Sequence, residues 1–128
     1  MNNTPPTHGW QQSDADRSLL SQLVDRLPER ISDSHAHIYQ TSHMNPVPGF
    51  MLPPGPAESG VGEWREHVGT IVGGSERLAG GLILPYPNRS SDTATVNRYV
   101  VSATRGHDGI RAALLVTPQC DPDAIDAL

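Results

Sequence analysis

The sequence predicts an α/β fold built on parallel strands, and three observations carry that prediction. Strand-like runs alternate with helical patterns along the chain, the order that builds right-handed βαβ units. The runs at 82–84 and 112–116 are continuously apolar rather than alternating, as strands covered on both faces are. A third run, 31–37, ends in Asp33-Ser34-His35-Ala36-His37, where the period of two along a strand turns Asp33, His35 and His37 to one side.

The elements follow in order. Residues 1–12 are polar and carry Pro5 and Pro6, so they are expected to be disordered. Ser13 or Asp14 caps a helix whose apolar positions, Leu19, Leu20, Leu23, Val24 and Leu27, recur at i, i+3/i+4; Pro28 ends it. The first strand is 31–37. Residues 40–62 hold five prolines and four glycines, a loop long enough to be functional or disordered, and Val47, Phe50, Met51 and Leu52 suggest that it packs. A helix over about 62–74 presents Trp64, Val68, Ile71 and Val72 and stops at Gly73-Gly74. The second strand, 79–84, closes at Pro85-Tyr86-Pro87. A third helix runs from Ser91 or Asp92 to Thr104 with Val96, Tyr99, Val100 and Ala103 as its buried stripe. The third strand is 110–116, and Asp121-Pro122 opens a fourth helix with Asp as N-cap and Pro at the first helical position.

With 128 residues the chain is long enough for one domain that buries roughly two-thirds of its unfolded surface. Its net charge of -5, without a cluster of Lys or Arg, argues against nucleic-acid and anionic-membrane partners. The single cysteine, Cys120, excludes an internal disulfide. No secretory signal is legible and no apolar stretch approaches the ~20 residues of a membrane span, so the expected compartment is the cytoplasm.

The chemistry lies in His35 and His37. Two imidazoles about 6–7 Å apart along one strand face can converge on one metal ion. Neutral imidazoles leave the ion its full charge, so it keeps its Lewis acidity and lowers the pKa of a bound water toward ~7. Asp33 reads as a partner orienting an imidazole or as a plain polar strand residue. Tyr86, beyond the second strand, reads as lining the substrate pocket or as a packed loop tyrosine. His43 reads as a solvated loop histidine with a substrate contact as the alternative, and His67 as a surface residue. His8 and the pair His107-Asp108 sit in polar segments, and Cys120 reads as a small packing residue.

Ile31-Ser32-Asp33-Ser34-His35-Ala36-His37 resembles the first barrel strand of the amidohydrolase superfamily, whose members carry His-x-His there. Asn97-Arg98-Tyr99-Val100, a strand, then Thr117-Pro118-Gln119-Cys120-Asp121-Pro122 resembles the amidohydrolase-related branch, which includes aromatic-acid decarboxylases. The likeness spans 31–37 and 80–128; it departs at Gly109-Ile110, where the branch often has Arg-Phe. It implies a (β/α)8 TIM barrel, an architecture of about 250 residues, of which this chain would supply about three βα units. The remaining family ligands, histidines on the fifth and sixth strands and an aspartate on the eighth that serves as base, have no counterpart here. Taken with a fourth helix that ends in mid-pattern, the expectation is a domain over 13–128 truncated at its C-terminus.

The implied activity is that of a metal-dependent hydrolase, most naturally with zinc, in which a metal-activated water attacks a C–N or C–O bond of a small-molecule substrate. The alternatives are metal-dependent non-oxidative decarboxylation of an aromatic or unsaturated acid, and a catalytically incomplete fragment that at most binds metal weakly. A full-length parent has room to be a homo-oligomer. Phosphoesterases that also use His-x-His usually follow it with a Ser-Asp-Gly type segment, which this chain lacks.

Overall fold

The computed structural model describes residue 10 and residues 12–45, 55–87 and 91–128. The expected packing of Val47, Phe50, Met51 and Leu52, and the reading of His8, lie outside them. Eight regular elements run in the order α1 (Asp14–Leu23), β1 (Ile31–Gln40), β2 (Glu58–Ser59), α2 (Val61–Val72), β3 (Leu78–Pro85), α3 (Thr93–Thr104), β4 (Ile110–Ala112) and α4 (Pro122–Asp126). The sheet order is β2-β1-β3-β4. β1, β3 and β4 are mutually parallel, as the alternating pattern predicts, while β2 pairs antiparallel with the end of β1. The fold is α/β with a mixed four-stranded sheet. No helix among the described residues is long and apolar enough to cross a membrane.

One face of the sheet is closed by α2 and α3. Ala36 and Ile38 from β1 and Ile83 from β3 meet Val61 and Trp64 of α2 and Val100 of α3 in one buried cluster. Ile38, Ile83 and Val100 are wholly inaccessible to solvent, each such side chain contributing about 1.5–3 kcal/mol through burial. Gly81 permits the close fit, because a Cβ there would lie 3.0 Å from the Trp64 ring. Ala in its place would require the indole to give by a few tenths of an ångström.

The loop expected over 40–62 contains β2, and Tyr99 of α3 ties it down. The Tyr99 hydroxyl donates to the Glu58 carboxylate at 3.2 Å and is 3.3 Å from the Ser59 carbonyl. The third strand is shorter than its apolar run suggested, ending at Ala112 rather than 116. Hydrogen bonds explain the difference. Gly81 donates to Gly109 and Ala113 to Ile83 along this ladder; the position due to donate next is Pro85, which has no N–H. Beyond it, the buried side chain of Asn97 replaces a strand neighbour. Its amide donates to the Leu115 carbonyl at 2.8 Å and its oxygen accepts the Leu115 N–H at 2.9 Å.

The first helix is also shorter than its stripe, giving way to a 3₁₀ turn at Val24–Arg26. It is firmly capped, Ser13 and Asp16 exchanging side-chain and backbone hydrogen bonds. Its apolar side is not buried: Leu19 is 56% and Leu23 40% exposed. Of the segment expected to be disordered, Gln12 donates to Thr70 of α2 and Trp10 lies against His67.

Two outcomes test this arrangement. Gly109 has φ +76°, and a Cβ there would sit 2.2 Å from the Ala79 carbonyl oxygen. Gly109→Ala is expected to cost about 2–3 kcal/mol in equilibrium urea denaturation. Burial, reinforced by Glu58, raises the Tyr99 phenol well above its ordinary range. The folded state therefore holds that proton more tightly than the unfolded chain does. Its stabilising contribution is complete below about pH 10, the unfolded value, and is lost as pH rises further. Tyr99→Phe should lower stability at neutral pH yet flatten its decline above about pH 10.

Candidate metal centre

β1 does not keep strict alternation. Its register against β3 shifts between Asp33 and Ala36, three residues on β1 spanning the space of two on β3, from Gly81 to Ile83. Such a bulge moves the residues before it to the other face relative to those after it. Asp33 is thereby turned to the helix side with Trp64, and the expectation that it shares a face with both histidines is corrected. One of its carboxylate oxygens accepts the Trp64 indole N–H at 3.0 Å and the other the backbone N–H of His35 at 3.0 Å. Its partners are an indole and a main-chain amide, not an imidazole.

His35 and His37 do come together. Their rings are 4.9 Å apart, inclined at 71°, and the two Nε2 atoms are 3.0 Å apart. His37 lies opposite Leu84, in the C-terminal part of both strands, and its Nδ1 is 2.9 Å from the Pro85 carbonyl oxygen. A carbonyl only accepts, so Nδ1 carries the proton and His37 Nε2 presents its lone pair. The contact between the rings is then a hydrogen bond from the Nε2–H of His35. His35 is exposed and His37 half-buried.

The donor set fits a divalent metal in three respects. Both contributing atoms are imidazole nitrogens. With metal–nitrogen bonds of about 2.0–2.1 Å, a 3.0 Å separation subtends about 95° at an ion, and opening it by a few tenths of an ångström gives the tetrahedral angle. The third respect is the backbone carbonyl on the far nitrogen of His37, the arrangement that fixes the tautomer of a ligating histidine. His35 would have to move its proton from Nε2 to Nδ1 to take part. Among the described residues no group of three His, Cys, Asp or Glu converges to hold an ion.

Tyr86 stands beside the pair, its ring 5.8 Å from that of His37 and edge-on to it, and equally far from Tyr39. Tyr39 is buried, and burial together with Tyr86 raises its phenol above the ordinary range. His43 is not a solvated loop residue: it is half-buried, its ring 5.6 Å from Tyr99. His67 is half-buried. It packs 4.6 Å from the Trp10 ring, and burial lowers its pKa. His107 and Asp108 are exposed in the turn before β4. Cys120 is half-buried and its sulfur accepts the Thr117 N–H at 3.2 Å, a turn contact consistent with packing.

Two participants were not legible as such. Trp64 reads from sequence as a core residue, although a buried indole N–H needs an acceptor and Asp33 is the only carboxylate on β1. The Pro85 carbonyl leaves no sequence signal, since any residue at the end of β3 would present one. No protein-family model, no curated protein and no solved structure matches this chain.

Proposed function

We propose that this chain carries part of the metal centre of a metal-dependent hydrolase acting on a small molecule, of the amidohydrolase type that its His-x-His resembles. The observation that carries the reading is the pairing of the His35 and His37 Nε2 atoms at 3.0 Å, with the His37 Nδ1 proton anchored on Pro85. A divalent ion, with zinc the natural occupant, would supply Lewis acidity and a water whose pKa falls toward neutrality, suited to hydrolysis of a C–N or C–O bond. His35 and His37 would hold it. Pro85 keeps the His37 tautomer that can ligate, and Tyr86 walls one side of the pair. A catalytic zinc takes three protein ligands and an open position, so this reading takes the third donor and the proton-transferring base from outside the described residues. The TIM barrel belongs to the same proposal, with β1, β3 and β4 as its first three strands and the histidines toward its C-terminal mouth.

A second reading, non-oxidative decarboxylation, is favoured by the aromatic surroundings. Tyr86 stands edge-on to His37 and, on its other contact, edge-on to Tyr39, a setting suited to a planar aromatic or unsaturated acid. The same two histidines would serve it.

Titration with Co²⁺, followed by its visible absorption and by competition with Zn²⁺, tests the centre. Weak binding is expected because two imidazoles act without a third ligand. His35→Ala or His37→Ala should weaken it at least tenfold. Binding that survives both replacements unchanged would place the ion elsewhere and overturn the reading.

A further inference from the structure

We propose that Asp33 is a positioning residue for the histidine pair, acting through the backbone of the bulge and held in turn by Trp64. The inference rests on the metal-site reading above and deepens it. His35 and His37 have separate anchors. His37 is fixed from β3, through its Nδ1–H and the Pro85 carbonyl. His35 is exposed, and its ring contacts His37. Its main chain lies in the bulge, in the interval of β1 that has no register partner on β3. The backbone N–H there is free to take an acceptor outside the ladder. Asp33 Oδ1 supplies it at 3.0 Å.

The second oxygen makes this more than a local turn. Asp33 Oδ2 accepts the Trp64 indole N–H at 3.0 Å, and Trp64 is only 4% exposed, wedged over Gly81. A buried helix residue therefore holds the carboxylate, and the carboxylate holds the Cα of His35. A charged acceptor with one oxygen for each N–H donor suits the task. An amide does not: Asn has one oxygen and would aim its NH₂ group at one of the two donors. Released from this clasp, His35 keeps its place in sequence but loses the backbone setting that brings Nε2 to 3.0 Å from its neighbour.

The test loads the chain with Cu²⁺ and reads electron paramagnetic resonance, in which nitrogen hyperfine structure counts the coordinated imidazoles, beside thermal melting. Wild type should show two nitrogens, and His37→Ala one. Asp33→Asn is expected to bind the ion about tenfold more weakly and show one nitrogen in protein that still melts cooperatively. Trp64→Phe, which leaves the Asp33 bond to His35 in place, should fall between Asp33→Asn and wild type and remains informative if Asp33→Asn does not fold. If both variants keep the wild-type affinity and two-nitrogen spectrum, the positioning role is overturned while the metal site stands, even if they melt earlier. If wild type and His37→Ala give the same spectrum, the metal-site reading itself fails.

Discussion

The parallel pairing of β1 with β3 is the constraint on which the rest depends. It brings His37 level with Leu84 and puts the Pro85 carbonyl within reach of the imidazole. The same pairing sets Ile38 and Ile83 side by side under α2 and α3, where both lose all contact with solvent. A shift of β1 by one residue would turn Ile38 outward and carry His37 away from Pro85 together. Core and candidate centre are therefore specified by one register. The burial energy of the apolar face holds the geometry of the polar one, so the histidines need no stabilising contribution of their own.

The bulge is where the two faces are allowed to differ. A regular strand would set Asp33 beside the imidazoles, where its negative charge would reduce the Lewis acidity of any ion they held. Turned to the helix side, the carboxylate satisfies two N–H groups instead, one from a buried indole and one from backbone that has no ladder partner. Removing it would leave the indole N–H of the buried Trp64 without an acceptor, at about 1–3 kcal/mol, and hand the His35 N–H, on an exposed residue, to water. Asp33 is thus a stabilising residue and a geometric one at once, which is why a melting temperature alone cannot separate the roles.

Much of this was legible. The order of β1, β3, β4 and the helices, the parallel sense of those three strands, the caps at Ser13 and Asp121, and the meeting of His35 with His37 were legible, whereas the antiparallel β2 was not. What escaped depends on pairs of segments. The bulge exists only in the register of β1 against β3. The early end of β4 follows from a missing donor on Pro85 and from an amide on Asn97, both far away in sequence. His43 follows a polar stretch and His67 sits on an amphipathic helix, yet the rings of Tyr99 and Trp10 come from elsewhere in the chain to lie against them. Local periodicity reports which side of an element is apolar, and says nothing of which distant ring will lie against it.

The hydrogen bond between the two imidazoles also sets a condition on loading the centre. In the ion-free pair, His37 has its proton on Nδ1 and His35 has its proton on Nε2, pointing at the lone pair an ion would use. An ion held by both rings would break that bond and need the His35 proton on Nδ1, whereas His37 would need no change. As ligands the two would be unequal: His37 would be preorganised, and His35 would be recruited at the cost of a hydrogen bond worth about 0.5–1.5 kcal/mol. An exposed His35 can exchange that proton with water, which keeps the step accessible. The inequality makes the backbone setting of His35 matter more than that of His37, because the recruited ligand depends most on having its Cα already in place.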